Sequence, residues 1–199
     1  MTTSKIFRQS FYLTLAVFLA VYSVTAEDSK TKSAKFRDSR LDVEITLNVP
    51  TNWKAQKPTS RLRLGQFDIP AAKDDKEAAE LAIYSFGGGG GGINANIKRW
   101  VGQFESEGRS VKVTEGKSPQ GPYVVVDLKG TYRKPTGPPF QQKTVPTPGS
   151  RMLAIILTVE KKANFFLKLT GPEKTVTATE AAFRKSFSAD KSKEKLREF

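Results

Sequence analysis

Six consecutive glycines, Gly87–Gly92, stand directly before residues at helical spacing, and such a loop can serve anion chemistry. Backbone N–H groups converge there and the helix dipole favours negative charge. The details do not complete the motif. A Walker loop closes on Gly-Lys-Ser/Thr, whereas Gly92 is followed by Ile93 and Asn94, and a dinucleotide fold needs a parallel strand–helix–strand unit with an acidic residue beyond it. The run is therefore expected to be a flexible connection. Asp127 interrupts Val124-Val125-Val126 and Leu128, where a buried carboxylate could act as a general base. No partner carboxylate stands at identifiable spacing, and alternation allows it to point outward. Asp74-Asp75 lacks the Asp-x-Asp-x-Asp-Gly spacing of a calcium loop and reads as a solvated turn or helix cap.

The chain has 199 residues with no Cys and no His, which excludes disulfide frameworks, thiolate and imidazole zinc sites, cysteine nucleophiles and Ser-His-Asp triads. No catalytic residue, metal ligand or cofactor-binding residue is assigned, and no cofactor is expected. Charge is the broader signal: 33 Lys and Arg against 20 Asp and Glu leave +13. Such a surface suits anionic lipid, acidic polysaccharide or nucleic acid. The cations are spread, however, without the aromatic–basic interleaving of an RNA-binding module, so no specific nucleic-acid motif is present. The candidate partner or anion contacts are Arg133, Lys134, Lys143 and Arg151, which flank a segment from Tyr132 to Ser150 with five prolines in 19 residues. That composition predicts an exposed hairpin extension, with Arg133 returning beside Arg151 and the four cations close together.

The elements that must position these residues follow from hydrophobic spacing. Lys5 and Arg8 precede a 14-residue apolar run, Phe11–Val24, which ends in Val24-Thr25-Ala26. Residues 1–26 are expected to be a secretory signal cleaved after Ala26, the run being short of the roughly 20 residues of a spanning helix. An uncleaved anchor is the competing reading. Loss of Lys5 and Arg8 takes the charge from +13 to +11. Residues 27–38 are expected to be a disordered linker, 39–189 a single domain, and 190–199 a charged flexible tail.

Within the domain, Leu41–Val49 alternates apolar and polar without a fault, and extended runs follow at 61–69, 81–86, 110–114, 123–131, 151–160 and 164–170. Ile93, Ile97, Trp100, Val101 and Phe104 form one stripe of a helix expected over 94–107, ended by Gly108. Core packing is the expected role of Trp100, with an aromatic ligand platform as the other reading. Arg99 and Gln103 beside it are expected as solvated flank, a groove being the alternative. A second helix after Gly171-Pro172 places Val176, Phe183 and Phe187 on one face. About seven strands joined by hairpins with two helices give an α+β fold, an antiparallel sheet flanked by helices.

Several local strings resemble the Mog1/PsbP-like superfold, an α/β/α sandwich. They are the first strand running into Val49-Pro50-Thr51-Asn52-Trp53, the last running into Phe165–Pro172, and the C-terminal helix with Phe183 and Phe187. Asn96–Phe104 further resembles uncharacterised exported bacterial proteins of this architecture. The resemblance spans most of Arg40–Ser188, and it implies a binding or assembly factor, with no binding residues to carry over. The function expected is an exported, non-enzymatic binding or assembly module of the cell envelope, periplasmic or extracellular, monomeric, with an unknown protein or anionic envelope component as partner. The alternatives are a cationic polyanion-binding protein and a His-free hydrolase or lyase.

Overall fold

The computed structural model describes residues 30–199 apart from Thr59, Gly89, 138–140, Gln142 and Lys161. The expected signal segment, 1–26, lies outside the described residues. Strands β1 (Thr31–Asp38) and β2 (Val43–Pro50) pair antiparallel in a separate ribbon. The other strands are β3 (Lys54–Gln56), β4 (Arg63–Ile69), β5 (Ala79–Ser85), β6 (Ser110–Ser118), β7 (Gly121–Pro135), β8 (Thr144–Val159), β9 (Ala163–Pro172) and β10 (Lys195–Leu196). They form one antiparallel sheet in the order β10-β6-β7-β8-β9-β5-β4-β3. Helices α1 (Ile93–Val101) and α2 (Glu173–Ser186) complete an α+β fold.

Side chains alternate across the sheet, so each face carries its own core. On one face Leu81, Ile83, Val125, Ile155, Leu167 and Leu169 pack against α2, through Val176 and Phe183, and against the inward row of β2, Val43, Ile45, Leu47 and Val49. On the other, Val126, Leu128, Met152 and Ile156 meet α1 through Ile97 and Trp100. That helix has nine residues and covers only part of its face.

Thr31–Asp38 is a strand, which corrects the expected linker over 27–38. Only Ala34 and Phe36 are apolar in it, so its hydrophobic pattern is faint; backbone pairing with β2 and one ring hold it. Phe36 packs edge-on to Phe67 at 6.2 Å and lies over Gly65, where an added Cβ would collide with the ring. The inward end of β1 is fixed by buried Asp38, which accepts from the Ser85 hydroxyl (2.6 Å) and the Gly87 N–H (2.9 Å).

The tail is likewise ordered rather than flexible. Asp190 caps a 3-10 turn, Lys191–Lys193, and β10 pairs with β6. Between them Glu194, its side chain 4% exposed, ion-pairs with Arg184 and accepts from Thr114 Oγ1 (2.6 Å) and the Tyr123 hydroxyl (3.2 Å). Charge pairing organises this segment, and apolar spacing does not register it. Helix α1 stops at Val101, short of the expected 107, because the chain turns at Gly102 and brings Phe104 into a bridge with Tyr132.

The proline-rich segment is a hairpin extension, with β7 running to Pro135 and β8 starting at Thr144. Its register differs from expectation. Arg133 lies opposite Pro146 and Arg151 opposite Lys129, with an irregularity between Gly130 and Tyr132.

Candidate functional site

The part of the sheet that α1 leaves uncovered floors a cleft of about 630 Å³ over β5, β9 and the β7–β8 hairpin. That volume is within the range of small-molecule sites. Lys168 of β9 lies at its base. Its cross-strand neighbours are Ala82 on β5 and Ala154 on β8, so a long polar side chain lies between two of the shortest ones and the floor is hollow there. Glu80 and Tyr84 of β5 and Thr170 of β9 share this face, while Tyr132 and Lys134 form the hairpin wall.

The Lys168 ammonium donates to Gln103 Oε1 at 2.6 Å and to the Tyr132 hydroxyl at 3.3 Å, and lies 5.3 Å from the Tyr132 ring centre. Both acceptors are neutral. Burial draws Lys168 down from its ordinary value to about 8; nearby Glu80 pulls it up and Arg63 pushes it down. Among the described residues no carboxylate forms an ion pair with it. Glu80 is already committed, pairing with Arg63 at 2.9 Å and accepting from Gln66 Nε2 at 2.8 Å, while the Arg63 guanidinium lies 5.8 Å from the Tyr84 ring centre. Burial also raises the Tyr132 phenol to about 12, so it stays protonated at neutral pH. One strand position pair further on, the buried Thr170 Oγ1 has no hydrogen-bond partner among the described residues. The cleft thus holds a desolvated cation with no direct counter-ion and an unused hydroxyl on the same face of β9. A buried polar group in that state gains from a ligand that completes it.

The four expected contacts do not form one cluster: Arg133, Lys134 and Lys143 share the hairpin, and Arg151 does not join them. Arg133 is exposed and donates to the Gly102 carbonyl, Lys134 pairs with Glu77 at 3.3 Å on the cleft rim, and Lys143 is exposed. Arg151 is 4% exposed and points to the opposite face, so it is no surface anion contact. The two-residue alternation decides this. There it donates to both oxygens of Asp127 (2.9 and 2.7 Å), to Glu180 (2.7 Å) and to Thr177 (2.9 Å). Asp127 is therefore half of an ion pair. This network continues through Arg184 to Glu194 and joins sheet, α2 and tail. A larger hollow of about 710 Å³ between α2 and the tail is an open groove, whose Glu180, Arg184 and Lys191 are already paired.

In the glycine segment, the Asn96 amide donates to the carbonyls of Gly90 (2.8 Å) and Gly92 (3.0 Å), so carbonyl oxygens rather than N–H groups face the helix start. Trp100 is core, 6% exposed and edge-on to Phe166 at 6.2 Å. Gln103, expected as solvated flank, instead holds Lys168. Lys168 is not among the residues expected from sequence, and it carries one sequence signal. In Phe165-Phe166-Leu167-Lys168-Leu169 both alternating faces are apolar except at the lysine, which marks a cation on a covered surface.

No family model matches this chain, and no curated protein is similar to it in sequence. Solved structures similar to this chain include two at low sequence identity. One is PA94 of Pseudomonas aeruginosa, a protein of unknown function, at 14% identity and a TM-score of 0.42 over 77% of this chain and 92% of that one. The other is the cyanobacterial PsbP of Synechocystis, CyanoP, at 12% identity and a TM-score of 0.45 over 87% of this chain and 96% of that one. The α+β architecture itself stands on the strand order and register described above.

Proposed function

We propose that this chain is an exported, non-enzymatic binding module of the cell envelope that holds a small anionic ligand in the cleft above Lys168. One observation carries the reading: a desolvated ammonium on the floor of an open cleft, bonded among the described residues only to the neutral Gln103 and Tyr132. An anion seated there supplies the counter-ion that the fold withholds, and a hydrogen bond to a charged group is stronger where water is excluded. Of the two acids that line the cleft, Glu80 is tied by Arg63 and Gln66 and Glu77 is paired with Lys134, which leaves an acid–base role without a free carboxylate. The export component rests on the N-terminal apolar run and its Val24-Thr25-Ala26 ending; intact mass of the secreted product tests it, with a start at Glu27 expected and retention of residues 1–26 refuting it.

Titration calorimetry with acetate and with inorganic phosphate tests the ligand reading. Binding in the wild-type protein and none in Lys168→Met supports it; undiminished binding in the variant refutes it. The polyanion alternative keeps one support, the exposed Arg133 and Lys143 on the hairpin. It calls for heparin binding that weakens steeply with salt and depends on those residues.

A further inference from the structure

We infer that the ligand of this cleft carries a flat apolar ring beside a single carboxylate, an aryl acid of about the size of benzoate or phenylacetate. The inference rests on the binding reading above and adds a different observation. A second hollow of about 220 Å³ adjoins the cleft, and Lys168 and Tyr84 line both. Its size admits one small ring and little more, being below the roughly 300 Å³ at which drug-sized sites begin.

The walls of this annex are aromatic. Tyr84 and Phe86 are stacked with ring centres 6.2 Å apart and planes at 19°; Phe86 and Phe166 are 5.5 Å apart; Trp100 stands edge-on to Phe166 at 82°. Tyr84 and Phe86 are only partly buried and both line the hollow. Such faces and edges complement another ring in stacked or edge-on contact better than a bulky saturated group.

The polar residues set the charge. Lys168 lies at the inner end, where the annex opens into the cleft, and exposed Arg99 lies on the other side, held to Asn96 Oδ1 at 2.8 Å. Among the described residues no acidic one lines the annex. A neutral aromatic would fill the ring space and leave the ammonium without a counter-ion. A phosphate ester or longer polyanion would extend into the cleft, where Glu77 and Glu80 lie. One carboxylate on Lys168 with its ring between Phe86 and Trp100 satisfies both conditions. Tyr132 and Gln103 then hold the ammonium in place while its remaining N–H reaches the ligand.

Calorimetric titration of the purified protein with acetate, cyclohexylacetate and phenylacetate, at one pH and ionic strength, tests this. Phenylacetate is expected to bind at least about tenfold tighter than acetate, since a ring removed from water adds apolar burial to the same ion pair, and tighter than cyclohexylacetate. Phe86→Leu is expected to remove most of that advantage while leaving acetate affinity in place. Equal affinity for acetate and phenylacetate, or an advantage that survives in Phe86→Leu, overturns the aryl inference and leaves the anion site standing. Absence of binding by every carboxylate overturns both. Should Phe86→Leu fail to fold, the ordering of the three ligands on the wild-type protein decides the matter.

Discussion

Replacement of Lys168 by methionine keeps much of the length of the side chain and removes the charge, and it is expected to make the protein more stable. The folded amine titrates near 8 where an unperturbed one titrates at 10.5. A base whose folded value is depressed is penalised for carrying its proton into the fold. The unfolded chain binds more protons between those two values, so wild-type stability rises as pH climbs from about 8 to about 10.5. The penalty is fully present at pH 7 and amounts to about 3 kcal/mol; at pH 10 it has shrunk to about 1 kcal/mol. Against this, the thioether of the variant would leave Gln103 Oε1 and the Tyr132 hydroxyl without their donor, a loss of about 1 kcal/mol each that the open cleft lets water reduce. The net gain at pH 7 is then about 1–3 kcal/mol. Urea melts of both proteins at pH 7 and pH 10 measure it, and the difference between them must fall with pH. A variant less stable by about 2 kcal/mol at both pH values would mean that Lys168 is compensated inside the fold, and the counter-ion argument would fail.

Affinity for benzoate or phenylacetate is expected to fall by about tenfold between pH 7 and pH 9, as Lys168 loses the proton that the carboxylate needs; a flat profile by calorimetry would point to another cation. Trp100→Ala should cost about 3–5 kcal/mol in denaturant melts, because its ring fills core against Phe166 and Ile97. A loss under about 1 kcal/mol would place the ring at the surface. Arg151→Ala should cost a similar amount, about 3–5 kcal/mol, by leaving Asp127 and Glu180 without their shared partner, whereas joint neutralisation of Arg133, Lys134 and Lys143 should barely move the melting midpoint. Equal effects of the two changes would contradict the burial of Arg151.

What could be read from sequence divides along the kind of force involved. Strands β2, β5, β7, β8 and β9 announce themselves because their inward positions are apolar at every second residue, as Val43, Ile45, Leu47 and Val49 are. The stripe Ile97, Trp100 and Phe104 marks the covered side of α1 equally well, but the helix end depends on a turn at Gly102 that brings Phe104 to Tyr132, a contact between distant segments. Strand β1 and the tail escape notice because hydrogen bonds and ion pairs place them, and neither leaves a periodic trace. Arg151 shows the limit most plainly. Its type suggests solvent, its register puts it opposite Lys129, and the two-residue alternation turns it under α2. Predicting a hairpin was sufficient to expect a cluster of cations at its root, but not to know which of them would face which way. Lys168 is the converse, a basic residue in a strand whose two apolar faces argued for cover, and its significance depends on Ala82, Ala154 and Gln103, which the chain supplies from three other segments.

The eight-stranded sheet terminates in its two shortest strands, three residues in β3 and two in β10. A free sheet edge is a template for another chain, and proteins blunt it with brevity and charge. Here Lys54 belongs to one border strand and Lys195 to the other, each on a molecule whose excess of Lys and Arg over Asp and Glu already repels its copies. The tail also does steric work at the second border: β10 pairs with Thr114 and Glu115, and the Arg197 N–H takes up the Val113 carbonyl, so the middle of β6 is closed to strand addition. Glu194, through its pairing with Arg184, is thereby a guard against edge-to-edge association as well as an anchor, because releasing it would free the backbone groups that β10 now occupies.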